Sequence, residues 1–363
     1  MVLQEIAPLN DPRYLHAMLC AASKGLDSLT REALITRLGR LTVVLALAVL
    51  AAPSVAPAQP AGKVYRVVYL GTSSAGLESN LVDAFRQGMR DLNYVEGRNL
   101  VIDYRWAEGR YDRLPALVAE AVQLKPDVIV AAGTPAILAL KEGTRTIPIV
   151  IAGMGDPMGA GAVSSLAHPG GNITGLASMS PEIDGKRLEL LKELVPGVSR
   201  VAVLWNPTNP NNTARLERMQ KAAQSLGLTI GPFVGAGDSQ ELDRGFAAIV
   251  AARAEALLMA SDRALLARRV QILEFTTRRR LAALYAYREL VEEGGLASYA
   301  PNYPAMFRRA ATYADRILKG AKPGDLPIEQ PTRFELTINL KTARALGLTI
   351  APSLLLRVDQ VIE

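Results

Sequence analysis

Histidine and cysteine, common metal ligands and nucleophiles, are almost missing from this chain. The sequence holds two histidines, His16 and His168, and a single cysteine, Cys20. A Ser-His-Asp arrangement would have to use His168, in the loop His168-Pro169-Gly170-Gly171, and no Gly-x-Ser-x-Gly elbow accompanies it. No pair of histidines has metal-ligand spacing. The glycines at 153, 155, 159 and 161 are not spaced as Gly-x-Gly-x-x-Gly, so they do not form a dinucleotide fingerprint. Neither a cofactor nor a catalytic centre is expected. What remains is a series of small polar and charged residues, each just past an apolar run. Thr72, Ser73 and Ser74 form one such group. With free backbone N–H groups leading into a helix, they suit an anion such as a carboxylate. Gly133-Thr134-Pro135 is another, in which Thr134 is expected to cap a helix with Pro135 at its first position. Asp156, Asn206, Asp262 and Tyr287 follow further runs. An acidic group here suits a ligand ammonium, and Tyr287 offers a ring face and a hydroxyl. Ser298, Tyr299 and Asn302 complete the candidate set, as hinge or ligand residues. Helix capping or a turn is the competing role for the Asp, Ser and Thr members.

The elements that must position these residues alternate in type. Apolar runs at 64–70, 100–106, 127–132 and 147–152 read as strands. Amphipathic segments at 81–92, 113–124 and 135–142 read as the helices between them. The pattern then recurs, with strands expected at 201–205, 230–234, 256–260 and 282–287 and helices at 214–226, 239–252 and 265–279. The offset is roughly 130 residues, which marks a duplicated domain rather than a solenoid. Such alternation implies an α/β fold of two doubly wound parallel-sheet lobes. Ligands bind such sheets at the carboxyl ends of the strands, so the candidate loops should converge on a cleft between the lobes. A helix at 304–319, a strand at 334–340 and a helix at 342–346 must serve both halves, which requires the chain to cross between lobes more than once and so builds a hinge.

The length, 363 residues, suits two domains plus extras, and the 49% apolar content supplies a large core. Aromatic residues make up only 5%, which disfavours a sugar- or base-stacking surface. The formal charge of +6 is scattered rather than gathered into a stripe or tail, which argues against nucleic acid. Residues 1–58 read as a leader. Its part from about 36 to 58 has a charged start at Arg37 and Arg40, an apolar run over 41–52 and a small-residue end, Ala56-Pro57-Ala58, as a secretory signal requires. The run is too short to span a bilayer. Cleavage is expected near Ala58, releasing a periplasmic or extracytoplasmic protein that starts near Gln59. No cysteine follows to take a lipid. A signal should open a chain, so initiation is expected near Leu34 or Ile35.

Several segments carry a family resemblance over about residues 63–352. They are FRQGMRDLNYVEG at 85–97, Gly133-Thr134-Pro135, Asp156-Pro157, HPGGNITG at 168–175, Leu204-Trp205-Asn206-Pro207, GGLASY at 294–299 and Asn339-Leu340-Lys341-Thr342-Ala343. Together they resemble the ABC-transporter substrate-binding family related to tryptophan/tyrosine-binding receptors. The resemblance implies a type I periplasmic-binding-protein fold with three interlobe crossings, near 175–178, 296–302 and 330–333. It also implies a partner permease and ATPase, and its best-understood branch takes aromatic amino acids. The expected lobes are residues 63–176 with 301–330, and 177–300 with 331–363. One departure is that many relatives have glycine where this chain has Ala300, which would stiffen the second crossing. The resulting expectation is a monomeric solute-binding protein for a small amino-acid-like or carboxylate-bearing ligand. A ligand sensor feeding a membrane receptor and an enzyme on the same fold are the rival readings.

Overall fold

The computed structural model describes residues 63–179, 183–210, 212–235 and 239–363; the expected leader and signal segment lie outside them. The first sheet comprises β1 (Tyr65–Gly71), β2 (Leu100–Trp106), β3 (Val128–Ala131), β4 (Ile149–Met154) and β5 (Ile173–Ala177). They are parallel, in the order β2-β1-β3-β4-β5. β3, β4 and β5 are buried at every position, as expected of strands covered on both faces, whereas the edge strand β2 is mostly half-buried. One cover is α1 (Ser79–Asp91), whose Leu81, Phe85 and Met89 recur every four residues and face inward. The other is α2 (Leu114–Gln123) with α3 (Thr134–Gly143).

The second sheet repeats the plan with β6 (Arg200–Trp205), β7 (Thr229–Gly235), β8 (Ala256–Met259), β9 (Ala282–Tyr285) and β10 (Ala297–Pro301). Their order, β7-β6-β8-β9-β10, reproduces that of the first sheet. α4 (Asp184–Leu194) and α5 (Asn212–Ser225) lie on one face, and α6 (Ser239–Ala251), α7 (Arg263–Leu266), α8 (Arg269–Arg278) and α9 (Arg288–Glu292) on the other. The helix expected over 265–279 is two helices. The backbone tightens where Ala267 N–H bonds Ala264 O and Arg268 N–H bonds Leu265 O, ending α7 after one turn.

The chain changes sheets three times. It leaves the first sheet after Ala177, returns after Pro301 into α10 (Tyr303–Leu318), and enters the second sheet again at β11 (Phe334–Asn339). α10 packs on α1 and β4 and so belongs to the first core. β11 runs antiparallel to β10, a departure from an all-parallel sheet. The cause is topological: β10 ends and β11 begins at the crossings, so the two strands meet them from opposite directions. The short α11 (Leu340–Leu346) and α12 (Pro352–Leu355) then lead to β12 (Gln360–Ile362), parallel to β11. The crossings are tied together. Glu329 N–H bonds Gly175 O at 2.9 Å, Ala177 N–H bonds Glu329 O at 2.8 Å, and Asn302 Nδ2 donates to Glu335 Oε1 at 2.9 Å. Gly175, at φ 130°, is required there because a Cβ would lie 2.2 Å from Ile151 O. Ala300 sits in regular β10, opposite Glu335, and its φ is not positive, so the alanine brings no backbone strain.

Candidate functional site

The loops after equivalent strands face one another across a cavity of about 60 Å³. Thr72 after β1 and Gly133 with Thr134 after β3 come from the first lobe, and Asp262 with Arg263 after β8 and Tyr287 after β9 from the second. Tyr111, Arg215, Tyr303 and Phe307 complete the charged and aromatic lining. These last four and Arg263 lie outside the residues expected from sequence. Arg263 had a legible signal, a charged residue beside Asp262 in a strand-to-helix loop. Nothing in the pattern marked Tyr111 or Arg215, which reach the cavity from helical segments.

Each loop was shaped by local chemistry. Gly133 is the N-cap of α3 at φ 85°, a region that favours glycine, and its N–H donates to Gly153 O at 2.7 Å. The expected cap by Thr134 does not form: Thr134 is the first helical residue, and no side chain caps this helix. The corresponding loop in the second lobe is capped. Asp262 Oδ1 accepts Ala264 N–H at 2.9 Å. The same carboxylate accepts from Tyr111 Oη at 2.6 Å, Asn206 Nδ2 at 3.2 Å and Asn209 Nδ2 at 2.8 Å. Tyr111 therefore joins the lobes. Burial, then the Asp262 charge, pushes its hydroxyl well above the usual tyrosine value, which keeps it a donor.

The seat formed by Thr72, Ser73 and Ser74 is taken by a carboxyl group of the chain itself. Glu78, buried, turns back so that Oε1 accepts Ser73 N–H at 2.8 Å and Oε2 accepts Tyr69 Oη at 2.8 Å. Burial pushes its carboxyl up, against the opposing pull of Arg263. Thr72 reaches the cavity, whereas Ser73 and Ser74 do not line it. Other expected residues also lie off the wall. Asp156 accepts Gly159 N–H at 2.7 Å and stands 3.7 Å from Arg218 of the other lobe. Asn206 is buried behind Asp262, with Thr208 N–H on its Oδ1. Ser298 and Asn302 line a separate small hollow, and Asn302 caps α10 through Ala305 N–H. Tyr299 packs on Phe334 and gives its carbonyl to Arg187.

Behind the second-lobe wall lies a buried ionic frame. Asp184 pairs with Arg187 at 2.8 Å and with Arg215 at 2.5 Å. Arg187 also reaches Ser261 Oγ and Tyr299 O, and Arg215 reaches Ser261 O. Burial alone would lower the Arg215 value, but the Asp184 carboxylate outweighs it and holds the guanidinium charged. Arg263 is buried between two tyrosine rings, 4.8 Å from the Tyr287 centroid and 5.1 Å from that of Tyr303. Its nearest carboxylate oxygen, on Glu289, is 3.7 Å away, beyond hydrogen-bond reach.

Among the described residues no helix is long and apolar enough to cross a membrane, and no group of three or more His, Cys, Asp or Glu residues is placed to hold a metal. The arrangement, two lobes with polar loops meeting over a cavity, is that of a binder.

Comparison with known proteins agrees. The chain is 26% identical over 264 residues to the tyrosine-binding protein of Clostridioides difficile (strain R20291), covering 73% of this chain and 75% of that protein. Among solved structures, a conserved domain protein from Vibrio cholerae O1 biovar El Tor superposes with a TM-score of 0.77 at 28% identity, over 82% of this chain and all of that one. An ABC domain in complex with L-Trp from Streptococcus pneumonia also gives 0.77, at 25% identity, over 83% of this chain and all of that one. These neighbours have the type I periplasmic-binding-protein fold, and so does this chain. With residues 74–362 matching the model of the ABC transporter substrate binding protein family, whose members work outside the cytoplasm, the chain belongs to that family.

Proposed function

We propose that this protein is the extracytoplasmic solute receptor of an ABC importer, that it binds a small amino-acid-like or carboxylate-bearing solute between its lobes without turnover, and that it delivers the solute to a membrane permease and its ATPase. The observation that carries the reading is the shared cavity, walled by Thr72, Gly133 and Thr134 from one lobe and by Asp262, Arg263 and Tyr287 from the other. A ligand touching both walls favours the arrangement in which they meet, so binding drives closure about the three tied crossings. The tyrosine-binding relative and the L-Trp-bound neighbour support an amino-acid-like ligand. Export would follow removal of the leader near Ala58, leaving a monomer.

The test is calorimetric titration of the mature protein with L-tyrosine, L-tryptophan and other small amino and carboxylic acids, combined with X-ray scattering. A bound solute should reduce the radius of gyration and be recovered unchanged after incubation. Binding without any contraction, or conversion of the solute, would sink the proposal. For export, amino-terminal sequencing of the secreted protein should begin near Gln59; an uncleaved chain retained in the cytosol would overturn that part.

A further inference from the structure

The cavity is unequal in hydrogen-bonding capacity. Among its described lining residues the one carboxylate is already engaged: Asp262 accepts from four donors, Tyr111 Oη, Asn206 Nδ2 and Ala264 N–H on Oδ1 and Asn209 Nδ2 on Oδ2. The nearby Glu78 carboxylate is engaged by Tyr69 Oη and Ser73 N–H, and Asp184 by two arginines. The donors are in surplus. Both terminal nitrogens of Arg263, a residue only 6% exposed, lack a hydrogen-bond partner among the described residues. Opposite it, the amino-terminal turn of the ten-residue helix α3 lines the same cavity with no side-chain cap. A buried guanidinium with spare N–H groups is costly unless an acceptor meets it, and a planar carboxylate matches its fork. The helix amino terminus adds backbone donors and a favourable dipole on the other side of the same group.

We infer that the ligand's carboxylate is held across the lobes between Arg263 and the amino-terminal turn of α3, and that this site requires the carboxylate but not an ammonium. The inference rests on the solute-receptor reading above and narrows it: of amino-acid-like and carboxylate-bearing solutes, the cavity selects for the acid group. An ammonium would meet an Asp262 whose Oδ1 already takes three donors and whose Oδ2 is bonded by Asn209, with two guanidinium groups on the same wall.

Matched triads test this on the intact mature protein. Each triad contains an amino acid, its deaminated acid and its decarboxylated amine: L-tyrosine, 3-(4-hydroxyphenyl)propionate and tyramine; L-tryptophan, indole-3-propionate and tryptamine; L-leucine, 4-methylpentanoate and 3-methylbutylamine. Affinities come from calorimetry and thermal shift. In any triad that binds, the two acids should lie within about tenfold of each other, and the amine should be weaker by at least about a hundredfold, the size of a lost charge-assisted hydrogen-bond pair. Arg263→Gln should weaken the acids at least thirtyfold and shrink the acid-over-amine ratio, and Arg263→Lys should retain part of both. Arg278→Gln, the same charge change at an exposed residue away from the cavity, should alter neither. An amine binding within tenfold of its acid, or an amino acid surpassing its deaminated acid by a hundredfold, overturns the inference while leaving the receptor reading standing. The wild-type comparison needs no variant, so a misfolded Arg263→Gln does not blunt it. If no acid in any triad binds, the amino-acid-like reading itself falls, and this inference with it.

Discussion

The two lobes share one strand order and place a loop after the third strand at the same point, yet those loops do different work. In the first lobe the loop is Gly133-Thr134-Pro135, uncharged, opening a helix whose first turn has no side-chain cap. In the second it is Ser261-Asp262-Arg263, opening a one-turn helix capped by Asp262 and followed by a buried cation. The first lobe presents backbone dipoles, and the second presents formal charges on a frame of buried ion pairs. The difference teaches that a duplicated scaffold conserves where a loop points, not what it offers. It also shows in the buried carboxylates. Glu78, in the first lobe, is met by a tyrosine hydroxyl and a backbone amide, whereas Asp184, in the second, is met by two guanidinium groups.

The largest expected effect tests the ionic frame. Asp184→Ala would leave Arg187 and Arg215 buried without their shared carboxylate and should cost about 3–5 kcal/mol of stability by urea unfolding. A loss below about 1 kcal/mol would mean that the second lobe does not depend on the frame, and the contrast between lobes would collapse. Next is the contact that joins them. Tyr111→Phe removes a 2.6 Å hydrogen bond to Asp262 and should weaken solute affinity by about 1.5–3 kcal/mol, with each lobe's fold unchanged by circular dichroism. Unaltered affinity would show that closure is held elsewhere. Gly133→Ala places a Cβ at φ 85° and should lower stability by about 1–3 kcal/mol from backbone strain; no loss would show that the uncapped turn tolerates ordinary residues.

The smallest effect depends on pH. Because burial raises the Glu78 value above the ordinary 4.5, the folded state binds its proton more tightly than the unfolded state does. That contribution is fully present below pH 4.5 and is lost as pH rises through the raised value. Glu78→Gln should therefore gain stability relative to the native protein between acidic and neutral pH, read as diverging urea midpoints. Parallel profiles would mean that Arg263, Ser73 and Tyr69 stabilise the ionised form enough to cancel burial.

Much of the architecture was legible as residue pattern. The apolar run at 100–106 and the helical period of Leu81, Phe85 and Met89 led to β2 and α1 because burial of a strand or a helix face imposes those periods locally. β5 and β10 were less visible. Their sequences, ITGLA and ASYAP, lie where the chain crosses between lobes, and they are strands because neighbouring strands complete their hydrogen bonds. The site was legible by loop and not by partner. Thr72, Gly133, Thr134, Asp262 and Tyr287 reach the cavity as their places after strands required. Ser73, Asn206 and Asp156 instead serve Glu78, Asp262 and a turn at Gly159.

The sequence by itself determined two α/β halves, their repeat and the loops that face the cleft, because hydrophobic period and turn chemistry act over a few residues. Only the tertiary structure decided which polar groups would be spent on one another. Tyr111 meets Asp262 across 151 positions and Arg215 meets Asp184 across 31, and no local pattern encodes such meetings. The hydrogen-bond balance of the cavity, with its carboxylate engaged and the terminal N–H groups of Arg263 without an acceptor among the described residues, follows from those distant pairings because a buried donor or acceptor must find its partner wherever the fold puts one.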